Sequence, residues 1–543
     1  MSYLHDFIEN RAPQSEPIPG TVANNAGGYV YKVSPWTALD RFLILGTEGG
    51  SYYATERDLT KESISAVKAC IEEDGERVVK RVVTISYEGR APKNDPALFV
   101  LAMCASARDV KTRRAAFAAL PIVARIGTHL LHFAAYMNGM RGWGRAAKRA
   151  VANWYLERKP EDVAFQALKY QQRDGWSHRD LLRLTHPKTE DIALKATFDW
   201  IAHGDEKINA FTPQIVEACR NAKSADDDSC AALVRGYNLQ REMIPTERLG
   251  SQEVWRALFD GMGMTAMIRN LGKLSSLGIM PELEDRIVKR LEDAETLKRA
   301  RVHPFSLLLA AKTYGQGHGD KGSMTWPVSR GVYHALDDAF YRAFPNHRGA
   351  DKRIMIGLDV SSSMSSGMVC GAPLTPREAA AAMCLLTAAT EPKHEIVCFA
   401  NGGSNSFSRS ARADHEGFLR PGLWAAPFRV GMSIKDVCDV TARMPYAGTD
   451  CSLPIIYAAE TGRMVDGFVI YTDSETWAGY VHPSEALKAY RRKTGIDAKL
   501  VVVGMVSNNF SIADPNDAGM LDCVGFDTST PQLISDFIRG FDA

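Results

Sequence analysis

A chain of 543 residues with 45% hydrophobic and 24% charged residues, 43 Gly and 25 Pro has the composition of a folded multidomain protein. That excludes a lone small module, a disordered segment and a collagen-like fibre. Lys+Arg 65 against Asp+Glu 64 gives a formal charge of +1, but the balance is uneven: +6 over residues 1–350 and −5 over residues 351–543, so the front part is the one suited to a polyanion.

Met1 to Asn10 is polar and mixed in charge, unlike a secretory signal, and stretches such as Leu98–Ala105 and Ala379–Leu386 are too short to cross a bilayer. The ten cysteines are scattered and form no CxxC pair, which predicts reduced thiols, a cytoplasmic protein and no membrane partner.

From about Pro35 to Phe344 the pattern predicts one helix after another. Asp95 precedes Ala97, Leu98, Val100, Leu101 and Cys104; Ser177 precedes Leu181, Leu182 and Leu184; Ser251 precedes Val254, Trp255, Leu258 and Phe259. A row of more than a dozen such helices with short joints suits an irregular α-solenoid of stacked pairs. After Arg348-Gly349 the rhythm changes. Strands read at Arg353–Asp359, Glu395–Phe399, Gly467–Tyr471 and Ala498–Val503, with helices at Pro376–Thr390, Ser452–Thr461 and Pro483–Lys493. Alternation of this kind specifies a mostly parallel, doubly wound α/β domain, giving a division into residues 1–348 and 349–543.

In such sheets ligands sit beyond the carboxyl ends of the strands. There stand Asp359-Val360-Ser361-Ser362-Ser363, then Gly448-Thr449-Asp450 before a helix, then Tyr471-Thr472-Asp473. Hydroxyl and carboxylate oxygens are hard ligands, so Ser361, Ser363 and Thr449 are read as direct or near-direct donors to a divalent cation, most simply Mg2+, with Asp359 and Asp473 binding through water and balancing its charge. Each piece alone also reads as a helix cap; together, in chain order, they look like the metal-ion-dependent adhesion site of a von Willebrand factor A domain. Catalysis is disfavoured. Ser361 stands where an aspartate-nucleophile site needs a second acid, Gly272-Lys273 lacks the upstream glycine of a phosphate loop, and no GxSxG elbow surrounds the serines.

The front part carries a second constellation. Lys169 and Arg173 are four apart, as on one helix face, and His186 follows in the same cationic and aromatic stretch. Arg141, Arg145, Lys148 and Arg149 are read as one stripe of a preceding helix, opposite Trp143, Ala147, Ala150, Val151 and Trp154. Stripes of this kind neutralise phosphates, although a single one is usually a solvated face. Trp143, Trp154, Trp176 and Tyr170 read as core or as stacking platforms, and His178 as a packed residue or an RNA donor.

Longer strings resemble the Ro ribonucleoprotein family, the sixty-kilodalton Ro autoantigen and its bacterial orthologues, built from a TROVE module and a von Willebrand factor A domain. They include Arg41–Tyr53, Gly175–His186, Arg269-Asn-Leu-Gly-Lys273, Arg301-Val-His-Pro-Phe305, Gly448–Pro454 and Ile512–Pro515. The resemblance implies a ring of HEAT-like helical repeats whose ends the A domain joins. It implies a monomer that holds a Y or Y-like RNA on the ring's outer surface through Lys169, Arg173 and His186, and takes the single-stranded 3′ end of misfolded RNA into the hole. It also implies a non-enzymatic role in RNA quality control or as an RNA-decay adaptor, in bacteria with polynucleotide phosphorylase tethered through RNA. The competing reading is a metal-dependent protein-binding scaffold without RNA. Residues 401–431, rich in Ser, Gly and Arg, look longer than the corresponding connection in animal members, and an insertion there would alter access to the metal or add a partner surface.

Overall fold

The computed structural model describes residues 4–48, 50–52, 54–319, 322–344, 348–401, 417–444 and 448–540. Local chemistry starts its helices. Ser34, Asp109 and Ser251 each accept a hydrogen bond from a backbone N–H three residues on, and Ser177 and Asp180 form a reciprocal capping box. Asn94, not Asp95, takes the cap position of helix Asp95–Ser106, because Asp95 already belongs to the first turn. The long helix Glu56–Glu88 breaks at Asp74, where the backbone leaves the helical region and the carboxylate restarts it by accepting from Arg77 N at 2.9 Å. Helices run from Pro35–Leu45 to Arg330–Arg342, each packed on neighbours in the chain.

Twelve strands are named among the described residues. β1 (Thr21–Ala23) and β2 (Tyr29–Lys32) open the chain, and β3 (Gln172–Arg173) and β4 (Trp176–Ser177) form a small hairpin. The carboxyl-terminal part holds β5 (Ile354–Asp359), β6 (His394–Phe399), β7 (Phe418–Arg420), β8 (Leu423–Ala425), β9 (Gly467–Thr472), β10 (Lys499–Gly504), β11 (Phe510–Ser511) and β12 (Met520–Val524). Seven make one sheet in the order β12-β10-β9-β5-β6-β8-β7, parallel from β12 to β6 and antiparallel at the β8-β7 edge. Successive side chains alternate between faces. Met355, Phe468, Ile470, Leu500 and Val502 share a core with helices Leu453–Glu460 and Pro483–Thr494. Ile356, Leu358, Val469, Tyr471, Val501 and Val503 join the core of helix Pro376–Thr390, which runs on without a break into the helical region.

That continuity closes the molecule into a ring. At its start, β2 pairs with β11, and buried Arg41 donates to both carboxylate oxygens of Asp522 at 2.7 and 2.8 Å and to the carbonyls of Asn508 and Phe510, each at 2.8 Å. Arg90 pairs with Asp527 at 2.5 Å. At the far end, Lys312 on helix Pro304–Gly315 reaches Glu378 at 2.8 Å and the Pro373 carbonyl at 2.8 Å. The ring of helical repeats and the α/β domain are therefore as the sequence predicts, with the sheet mixed by its edge hairpin. Among the described residues, no helix is long and apolar enough to cross a membrane, and all ten cysteines are unpaired. Residues 402–416 of the 401–431 segment lie outside the described residues; its remainder supplies β7 and β8 and buries Trp424 and Phe428.

Candidate functional site

β5 and β9 are neighbours in register, Leu358 beside Tyr471, so Asp359 and Asp473 leave the sheet side by side at its carboxyl edge. The chain turns tightly after β5. Asp359 Oδ1 accepts from Ser361 N at 2.9 Å, its Oδ2 from Thr472 Oγ1 at 2.6 Å, and the Ser361 and Ser363 hydroxyls lie 3.1 Å apart. Thr449 is fixed through its carbonyl, which accepts from Trp477 N at 3.1 Å and Ala478 N at 3.0 Å. The Trp477 ring lies so close to Gly448 that an added Cβ would sit 2.4 Å from it, which a side chain there forbids. Asp359, Ser361, Ser363, Thr449 and Asp473 are all buried.

This cluster has an unbalanced chemistry. Burial, and then the charge of its neighbour Asp473, pushes the Asp359 carboxyl above the usual carboxylate range; burial does the same to Asp473. Arg377, buried beneath the loop, gives hydrogen bonds to the carbonyls of Val360, Ser361 and Thr441. The Thr449 hydroxyl is buried without a hydrogen-bond partner among the described residues. Two repelling carboxylates, a pair of serine hydroxyls and an unpartnered threonine oxygen fit a hard divalent cation. No His or Cys completes a softer cluster among the described residues.

The basic residues fall differently from the expected stripes. Lys169 ends helix Pro160–Lys169, and Arg173 lies on β3, so they do not share a helix face. The cause is turn chemistry: Asp174-Gly175 takes two positive φ values, 49° and 78°, and folds the chain into the β3-β4 hairpin. Lys169 is half-buried with Nζ 3.4 Å from Gln240 Oε1, whereas Arg173 is exposed and His186 is the exposed, left-handed cap closing helix His178–Thr185. Arg141 likewise leaves its stripe. Helix Gly127–Met140 ends before it and helix Arg145–Leu156 begins after it, so Arg141 caps the first and leans on the Ser106 and Ala107 carbonyls. Arg145, Lys148 and Arg149 do share a helix, opposite buried Ala147, Ala150, Val151 and Trp154. None of these seven forms an ion pair with Asp or Glu among the described residues. Trp154 and His178 are core: the indole donates to the Ala124 carbonyl at 2.6 Å, and His178 Nδ1 meets the Tyr155 hydroxyl at 2.8 Å. Trp143 and Trp176 are half-buried and packed on each other, ring centres 5.4 Å apart.

A third feature escaped the sequence. A cavity of about 1080 Å³ is bounded by the end of helix Glu56–Glu88, helices Met264–Ser276 and Pro304–Gly315, and residues Gly371–Pro373 of the α/β domain. Lys93, Arg125, Arg241, Arg269, Lys273 and Arg301 line it, and no Asp or Glu among the described residues does. Lys93 is paired with Glu48 at 2.5 Å, Arg125 is tied to Ser86 by hydrogen bonds, and Arg301 lies over the Tyr87 ring. Burial, with Arg301 nearby, pulls the Arg125 guanidinium below its ordinary range. Arg269 and Lys273, spaced i and i+4 with Thr265, Ile268 and Gly272, carried a readable helix-face signal; the other four converge only through the tertiary fold.

Two family models match the chain: the TROVE domain over residues 22–233 and 237–313, and the Ro60 vWA domain over residues 353–538. The chain is 41% identical to an RNA-binding protein RO60 from Deinococcus radiodurans over 542 residues, covering 97% of each. It is 36% identical over 602 residues to an RNA-binding protein RO60 from Caenorhabditis elegans, covering 96% of this chain and 90% of the other. The crystal structure of the Deinococcus radiodurans Ro (RSR) protein superposes with a TM-score of 0.69 at 38% identity, covering 93% of this chain and 100% of that one. With both domains matched and relatives of this identity spanning almost its whole length, the chain belongs to the Ro60 family.

Proposed function

We propose that this protein binds RNA at two places and that it is a binding protein, not an enzyme. The observation that carries the reading is the cavity of about 1080 Å³, where six cationic side chains meet with no carboxylate among the described lining residues. That surface suits the phosphates of a single strand, and exposed Arg141, Arg145, Arg149 and Arg173, with the exposed His186 side chain and half-buried Lys148 and Lys169, suit a folded Y or Y-like RNA outside. The relatives named RNA-binding proteins support it. On this reading the protein acts in the cytoplasm in RNA quality control, or as an adaptor that brings RNA to a decay enzyme such as polynucleotide phosphorylase. Ser361, Ser363 and Thr449 would hold Mg2+, with Asp359 and Asp473 balancing its charge, and the ion would supply an open coordination position for an acidic partner group.

The test is RNA binding by the full chain as a function of salt. Affinity that falls steeply with salt, and a shallower dependence after Arg269→Ala or Lys273→Ala for a single strand and after Lys169→Ala or Arg173→Ala for a stem, supports the assignment. Purification without RNA at low salt, and no binding to either probe, overturns it and favours the protein-binding scaffold.

A further inference from the structure

Asp174 follows Arg173 at the tip of the β3-β4 hairpin, and a carboxylate is an unfavourable neighbour for a phosphate backbone. The structure shows what holds it. His132, on helix Gly127–Met140, places Nδ1 2.5 Å from Asp174 Oδ2 and Nε2 3.3 Å from Asp95 Oδ1. Only an imidazolium carries a proton on both ring nitrogens, so the bridge between two carboxylates is complete only in the charged form.

The surroundings come from four directions. On its own helix, the Tyr136 ring is stacked at 6.4 Å, and His129 is held neutral, its pKa pulled to about 3 by burial and by the charges of Arg125 and His132. Helix Asp95–Ser106 contributes Asp95, the hairpin contributes Asp174, and Glu48 faces Tyr136 while paired to Lys93. The side chain of His132 is 17% exposed, so solvent protons reach it.

We propose that His132 is a positioning residue for RNA: charged, it clasps Asp174, pins the hairpin that presents Arg173 and cancels a carboxylate at the edge of the basic surface. Loss of its proton leaves one of the two carboxylates without an N–H and uncancels a negative charge beside the hairpin, which loosens the clasp and weakens binding. The proposal rests on the outer-surface reading above.

The experiment measures affinity of the full chain for a fluorescein-labelled RNA stem-loop at constant salt from about pH 6 to about pH 8. Wild-type affinity weakens about threefold over that range, the size of one added charge near the strand in a watery dielectric. His132→Gln is flat at the weaker level. Asp174→Asn binds more tightly than the wild type at the upper end of the range, since the amide carries no charge for the imidazole to cancel. Hydrogen exchange of residues 170–177 without RNA, corrected for intrinsic rates, slows toward low pH in the wild type and not in His132→Gln.

A wild type flat in pH, or a His132→Gln variant with the wild-type slope, overturns the clasp. If Arg173→Ala binds as well as the wild type at both ends of the range, the outer-surface reading fails, and the RNA role of His132 fails with it. If Arg173→Ala loses affinity while wild type and His132→Gln keep parallel slopes, only the clasp fails.

Discussion

The buried cluster at the carboxyl edge of the sheet and the cavity of the ring share one electrostatic design with opposite signs. Asp359 and Asp473 stand together, Asp359 pushed toward its protonated form by burial and the charge of Asp473 and Asp473 by burial, while Lys93, Arg125, Arg241, Arg269, Lys273 and Arg301 meet with no carboxylate among the described lining residues. The seams that close the ring are built the other way: Arg41 with Asp522, Arg90 with Asp527 and Lys312 with Glu378 are matched pairs. Where the fold only has to hold, charge is neutralised internally. Where charge is left unbalanced, the cation and the RNA strand proposed above would be the missing partners.

The largest way to break this comparison is acid. Burial pulls His129 to about 3 and His178 and His303 to about 4, and His303 sits on the Arg90 carbonyl beside a ring seam. Their folded values lie below the ordinary 6.5, so the unfolded chain takes protons that the native one refuses. The stabilisation is complete above about pH 6.5 and is lost as pH falls toward about 4, at about 2 kcal/mol per histidine by about pH 5. Melting temperature therefore drops steeply between these values, and less steeply in His303→Gln; equal slopes would show that His303 contributes nothing. Next comes Arg41→Ala, which leaves Asp522 unpaired in the seam and costs about 3–5 kcal/mol in calorimetry. A loss below 1 kcal/mol would mean that the seam is not held by matched charge.

The difference between the regions also explains what the sequence made legible. The pieces around Asp359, Thr449 and Asp473 are three short local motifs, and the switch in strand order at β5 sets β9 beside it. β12 was missed because Asp522 interrupts its apolar run, and the reason for that charge, Arg41, lies 481 positions away. β2 hides similarly, since its partner β11 is only Phe510-Ser511 and follows most of the chain. At Asp174 the i, i+4 spacing of Lys169 and Arg173 points to a helix, and the turn signal of Asp-Gly prevails over it in the fold. The cavity was least legible, since helix periodicity marks which side chains avoid the core but not which of them face one another across a ring.

A smaller effect sharpens the metal side of the comparison. In chelator, Asp473→Asn removes one of two repelling buried carboxylates, so the variant melts above the wild type by the equivalent of about 1 kcal/mol. In Mg2+ the order reverses, because the wild type gains stability by mass action and the variant does not. A variant that melts below the wild type in chelator, with an unchanged response to Mg2+, would show that repulsion at this site is not waiting for a cation.

The smallest effect is the most specific for the cavity. Arg269 and Lys273 form no ion pair among the described residues, so replacing either removes no internal partner and leaves stability close to that of the wild type. What changes is the counterion count. A strand neutralised by both cations loses about 0.7 from the slope of log affinity against log salt for each one removed, and about twice that for the pair. Lys298→Ala, an exposed cation outside the lining, serves as the control and leaves the slope unchanged. Equal changes from Lys298→Ala and Arg269→Ala would mean that RNA senses the overall charge of the ring, and that the cluster of cations in the cavity has no particular consequence for binding.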